Sequence, residues 1–218
     1  MITAVSLAIA AIPVALYLAM LGLLRLRKQP FVTTGWRDVA TLGIAVIGLV
    51  AIGPVQLFFP NYAAAHFSGW VWGLLLALYL LSLLLLVLSC RPRLIVYGIS
   101  EDAFYETLLA AATRVDVDAS WHGQILTLPA ARLQLSAEPT GALGVQQATS
   151  VSSLATVGPW LELERELVKQ CAQTTSQVRS WTGLVLLISG LLLGVAAIAG
   201  LLMDPAQALI DLKEFFIK

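Results

Sequence analysis

Four stretches of the chain, residues 2–24, 39–59, 67–90 and 181–203, each run for about twenty residues or more without an Asp, Glu, Lys or Arg. A helix needs about 20 apolar residues to cross the hydrocarbon core of a bilayer, so the pattern predicts four transmembrane helices. The third has an almost unbroken leucine centre, "LLLLVL". The first begins at the N-terminus, yet nothing basic precedes it and Arg25, Arg27 and Lys28 follow it. A cleaved signal shows the opposite order, with a basic region before a shorter apolar core. The expectation is a retained span.

Between the third and fourth spans the pattern changes. "LIVYG" is a short β-branched run closed by Gly98 and predicts a buried strand. Ser100 stands where a helix cap is wanted, with Glu101 and Asp102 in the following turn. Phe104, Leu108, Ala111 and Val115 then recur at helical spacing. In "RVDVDASWH", Val115, Val117, Ala119 and Trp121 alternate with polar residues, which predicts a strand with one wet face carrying Asp116, Asp118 and His122. Gly123 permits a turn; "QILTL" and "RLQLSA" read as two further strands, "EPTG" as a turn and "ALGVQQA" as a weaker strand. "TSVSSLATVG" reads as a loop. Pro159 suits a first helical position, and Trp160, Leu163, Leu167, Cys171, Thr174 and Val178 mark an amphipathic helix of about 20 residues. That helix is expected either to continue into the fourth span or to kink at Gly183.

The fold class expected is therefore an α-helical integral membrane protein (four transmembrane helices) with a small α+β cytoplasmic domain inserted between helices 3 and 4. Residues 1–93 hold three spans, 94–180 the domain, 181–203 the fourth span and 204–218 an amphipathic interfacial helix. In that last segment Asp204 and Pro205 supply a start, and Ala208, Leu209, Leu212, Phe215 and Phe216 share one face.

Composition agrees: 59% of the residues are hydrophobic and 12% charged, against about 25% charged in soluble domains. Charge placement adds orientation. The loop after the first span holds Arg25, Arg27, Lys28 and Arg37, the loop after the second holds no Lys or Arg, and Arg91 and Arg93 follow the third. Basic loops stay cytoplasmic. The first loop and residues 94–180 are thus expected in the cytoplasm, with both termini outside. Trp36 and Trp181 fall at inner ends and Trp70 and Trp72 near an outer end, as interfacial rings should. A net charge of zero gives no reason to expect nucleic acid as a partner, and the excess of acidic over basic residues from Leu94 to Ser180 makes neither anionic lipid nor nucleic acid the expected partner of that insert.

Candidate chemistry is sparse. The sequence has no phosphate-binding glycine loop, no nucleophile elbow, no C-x-x-C and no H-E-x-x-H. Cys90 and Cys171 do not make a disulfide framework, and Cys171 falls on the apolar stripe of its helix. The best polar constellation, Asp116, Asp118 and His122, reads first as a solvated strand face. Neither catalytic residues, nor a metal site, nor a cofactor is assigned. Gly190 and Gly194 form a G-x-x-x-G pair that allows close helix approach. The function expected is a non-enzymatic membrane accessory, assembly or scaffold subunit, with the bilayer and partner proteins as its contacts, the latter through the fourth span and the C-terminal helix. The alternatives are a membrane-tethered enzyme or metal-dependent domain, and a membrane sensor.

Overall fold

A computed structural model describes residues 3–55, 70–139, 144–151, 157–175, 181–203 and 205–217. It divides into two compact units.

The first unit comprises Met1–Leu21, Val39–Ser89 and Val185–Lys218. Its helices are the bulk of α1 (Ala4–Leu26) and α2 (Gly35–Val50), then α3 (Trp70–Ser89), α6 (Trp181–Met203) and α7 (Pro205–Ile217). Among the described residues three helical stretches are long and apolar enough to cross a membrane: Ala4–Leu26, Gly35–Gly53 and Trp181–Met203. The apolar part of α3, Gly73–Ser89, is shorter, and residues 67–69 at its expected start lie outside the described residues. So do residues 56–66, which hold the end of the second expected span and the loop after it. Leucines stand exposed all round α3, Leu74, Leu76, Leu84 and Leu86 among them. A helix apolar on every face belongs in lipid or in a large core.

Packing within this unit uses small residues. Pro13 lies inside α1, where a proline has no N–H to give the carbonyl four residues back, that of Ile9. A Cβ at Gly48 of α2 would collide with that carbonyl. Gly48 lets α2 come close to the kink-prone turn of α1. One turn earlier in α2, Gly43 accepts a 2.6 Å hydrogen bond at its carbonyl from Tyr79 Oη of α3. Beyond Val50 the helix passes into a π-turn, Ala51–Val55, that contains Pro54.

The second unit comprises Gly22–Asp38 and Cys90–Leu184. Its sheet has six antiparallel strands in the order β1-β2-β6-β5-β4-β3. They are β1 (Phe31–Thr34), β2 (Arg93–Tyr97), β3 (Ser120–His122), β4 (Ile125–Leu128), β5 (Leu133–Pro139) and β6 (Val145–Ser150). Two helices, α4 (Glu101–Val115) and α5 (Val157–Gln173), pack on each other and share the core with one sheet face. The register puts Leu94, Ala148, Ala137, Leu135, Leu126 and Leu128 on that face. All are at most 1% exposed. From the helices come Phe104, Leu108 and Ala111 on α4, and Trp160, Leu163, Leu167 and Cys171 on α5, as their spacing requires.

Several sequence expectations are corrected in detail. Ser100 takes the cap position with extended backbone, but its side chain makes no cap hydrogen bond. Pro159 is the third residue of α5, which starts at Val157 and ends at Gln173. The helix does not continue unbroken into α6, because Thr174 and Thr175 are not helical. Val178, the "EPTG" residues Thr140 and Gly141, and Asp204 lie outside the described residues.

The largest addition is β1. The loop after the first span is not a plain connector. Its "FVTT" pairs antiparallel with β2, Phe31 opposite Tyr97 and Thr34 opposite Leu94. Side chains reinforce the ladder. Tyr97 Oη donates to Asp38 Oδ1 at 2.9 Å, Gln29 Nε2 to the carbonyl of Ala172 at 3.3 Å, and Arg25 Nη1 to Thr182 Oγ1 at 3.1 Å. Arg37 and Glu164 of α5 form an ion pair at 3.4 Å.

Candidate functional site

The alternation that suggested a wet strand through Asp116, Asp118 and His122 is broken by the end of α4. Val115 closes the helix, Asp116 caps it, and a turn follows. Only Ser120–His122 forms a strand. The faces are therefore not those expected: Asp116 is 4% exposed and Val117 89%.

Asp116 is buried because its carboxylate replaces water with backbone donors. Oδ1 accepts from the Asp118 N–H at 3.1 Å. Oδ2 accepts from the N–H of Ala130 at 2.7 Å and of Ala131 at 3.3 Å. The side chain closes its own turn and also clamps the turn between β4 and β5, where Arg132 is held at φ 52°. Three charge-assisted hydrogen bonds suffice to hold a carboxylate in a largely apolar surround. The missed signal is the Asp itself: Asp side chains bond the backbone two residues on, as here. Asp118 and His122 are exposed, and among the described residues no three His, Cys, Asp or Glu side chains are grouped to hold a metal ion. The constellation is a structural clamp beside two solvated residues.

Cys171 sits in the core at 1% exposure, and burial pushes its thiol up to about 12. A thiol held protonated is no nucleophile.

Gly190 has its close approach within the chain. A Cβ there would stand 2.7 Å from the carbonyl oxygen of Ala15 and 2.7 Å from the amide of Ala19, both on α1. At Gly194 the nearest atom is Ala15 Cβ at 3.6 Å, an ordinary contact. The first glycine alone is needed for the crossing. The other side of α6 carries exposed Leu191, Leu192 and Val195. The C-terminal segment forms α7 as expected. Ala208 and Leu209 join Ile9, Pro13 and Leu201 in lining an apolar groove of about 620 Å³, so part of the stripe of α7 is turned to its own chain.

A surface feature that the sequence reading passed over lies on α5. Beside its buried stripe, Val157, Leu161 and Val168 are exposed at 59%, 45% and 47%. Their separations of four and seven residues put them on one side of the helix. On that side Glu164 holds Arg37, whose guanidinium lies 5.2 Å from the ring of the half-exposed Trp36. Tryptophan and arginine are enriched in protein interfaces, and the three aliphatic side chains add apolar area beside them. The pattern was legible at period 3.6, but it is masked by the stronger buried stripe one position away.

Comparison with protein-family models, with curated proteins and with solved structures finds no match for the chain.

Proposed function

We propose that the chain is a non-enzymatic, four-span membrane subunit that holds a small α+β domain in the cytoplasm as a docking platform for partner proteins. The observation that carries this reading is the placement of β1: the basic loop after the first span supplies a strand to the sheet formed after the third. Basic loops of this length stay in the cytoplasm, and a strand shared with the sheet takes the domain to the same side. Four chain connections, at Leu21, Val39, Ser89 and Val185, join the domain's unit to the helices. The exposed Val157, Leu161 and Val168 of α5 offer that partner an apolar face. Partner helices in the bilayer are expected on Leu191, Leu192 and Val195 of α6 and on the free part of the α7 stripe, since the Gly190 side is taken by α1.

Two measurements test it. Reporters active only outside the cytoplasm, fused at His66 and at Gly141, should signal at His66 alone; signal at Gly141 would sink the topology. The full chain purified in mild detergent should bring a stoichiometric partner that is lost when Val157, Leu161 and Val168 are all replaced by serine, while the variant remains membrane-inserted and folded. A partner retained by that variant, or a wild-type protein that purifies alone, counts against the platform.

A further inference from the structure

We propose that the basic segments of the second unit, Arg25–Arg37 and Arg91–Arg93, form a binding surface for the headgroups of anionic phospholipids; this rests on the membrane reading above.

The argument begins with charge segregation. Residues 22–38 and 90–93 carry six basic side chains and a single acidic one, Asp38. From Leu94 to Leu184 the balance reverses, with five basic residues and nine acidic. A surface made by the whole unit would be nearly neutral, whereas these two segments are positive even with Arg37 paired to Glu164 of α5. The sheet brings the two segments together, because β1 lies between Lys28 and Arg37 and pairs with β2, which starts at Arg93. Arg27 stands 6.0 Å above the ring of Phe31, at one end of β1. Arg93 crosses Gly35 at the other end, its side chain filling the space where a Cβ would be. Four residues of strand span about 10 Å, so the charges line one short strand pair rather than scattering over the domain.

The surroundings of these cations decide which of them can meet an anion. Arg93 is laid against the first residue of α2, and a helix N-terminus is itself positive. Placing a guanidinium there is unfavourable unless negative charge is near, and Asp38 in that first turn supplies part of it. The carboxylate in that first turn, Asp38, accepts from Tyr97. In addition, Arg25 Nε and Arg93 Nε are buried and have no hydrogen-bond partner. Those two atoms are closed off from outside; a headgroup phosphate reaches exposed donors, here those of Arg27, Lys28 and Arg91, and its oxygens match guanidinium geometry. The source of that phosphate follows from the chain: Arg27 lies one residue past the end of α1, and Arg91 two residues past the end of α3. Side chains so close to the end of an apolar helix stand at headgroup level, where each Lys or Arg adds measurably to attraction for an anionic leaflet.

The test uses the full chain purified in a neutral detergent from carbonate-washed membranes, freed of lipid and offered equal amounts of phosphatidylglycerol and phosphatidylcholine, with bound lipid counted by native mass spectrometry. Phosphatidylglycerol should be preferred. Neutralising three exposed cations, in Arg27→Gln/Lys28→Gln/Arg91→Gln, should cut that preference about tenfold or more. Arg114→Gln/Arg132→Gln/Arg165→Gln, which removes as many exposed charges elsewhere on the domain, should leave it unchanged. Should the first variant unfold by circular dichroism, Arg27→Lys/Lys28→Arg/Arg91→Lys must keep the preference and single neutralisations must lower it stepwise. Equal binding of the two lipids by a protein retained in the washed membranes overturns the proposal and leaves the membrane reading standing. A protein washed out of the membranes overturns both. Full displacement of phosphatidylglycerol by inorganic phosphate at 10 mM, a concentration of about that order being far above any tight site, would mark a free-anion site and overturn the lipid assignment.

Discussion

Val32 lies directly opposite Val96 in the pairing of β1 with β2. A residue from the loop after α1 and one from the stretch after α3 are thus neighbours across a ladder, though 64 positions separate them in the sequence. Facing residues in antiparallel strands have Cα atoms about 4.5–5.5 Å apart, a separation that a disulfide spans. In a background with Cys90→Ser and Cys171→Ala, Val32→Cys/Val96→Cys should cross-link on mild oxidation in intact membranes. After cleavage at an intervening site the two fragments should stay joined until reduced. Fragments that separate without reductant would show that the loop does not enter the sheet.

The carboxylate of Asp116 receives three backbone N–H groups. Asp116→Ala strips the partner from all three in a buried place, and the expected loss is about 2–4 kcal/mol. Asn restores only part of it, because its NH₂ would face at least one of the donors. Asp118→Ala, at an exposed site, should change stability by no more than about 0.5 kcal/mol. Chemical denaturation followed by tryptophan fluorescence distinguishes them, Trp121 and Trp160 being on the domain. Equal effects at the two aspartates would refute the clamp.

These two sites show what the sequence could and could not express. The apolar spans and the helix faces of α4 and α5 are local periodicities, and Phe104, Leu108, Leu163 and Leu167 are buried as their spacing requires. The strand from Arg93 to Tyr97 is likewise a local run. In contrast, β1 is only four residues in a basic loop, and although Phe, Val and Thr all favour strands, its existence depends on a partner strand found far along the chain. Period-two alternation across Arg114–His122 was outweighed by the helix already running through Val115 and by an Asp with a turn to close. For the candidate surface, the exposure of Val157, Leu161 and Val168 depends on which stripe of α5 meets the core, and composition does not say.

The buried thiol of Cys171 gives a pH signature. Its folded value of about 12 stands above the ordinary 9.0 because burial disfavours the thiolate. The folded state therefore holds this proton more tightly than the unfolded state. The associated stability is complete below about pH 9 and is lost as pH rises from there towards 12. Denaturation midpoints between pH 8 and pH 11 should fall more steeply for the wild type than for Cys171→Ala, which lacks the group. At pH 8 maleimide should leave Cys171 unmodified until the protein is unfolded. Rapid labelling of the native protein at Cys171, or parallel pH profiles, would contradict its placement.

Gly190 and Gly194 look equivalent in the sequence and are not equivalent in the structure. At Gly190 an added methyl meets backbone atoms of α1 at 2.7 Å, and backbone cannot rotate aside as a side chain can. The two helices must then move apart or shift along one another, losing the packing that centres on Ala8, Ala11 and Ala197. Between membrane helices such packing is a main source of association, since lipid tails are as apolar as the side chains they replace. Gly190→Ala should therefore lower the thermal midpoint in detergent by several degrees, the loss expected from about 1–3 kcal/mol of overpacking. Gly190→Leu should reduce accumulation in the membrane. At Gly194 the methyl arrives at ordinary contact distance from Ala15 Cβ, and Gly194→Ala should be neutral or slightly stabilising, because alanine is the better helix former. A scan in which both alanines behave alike would mean that α1 and α6 do not cross at Gly190.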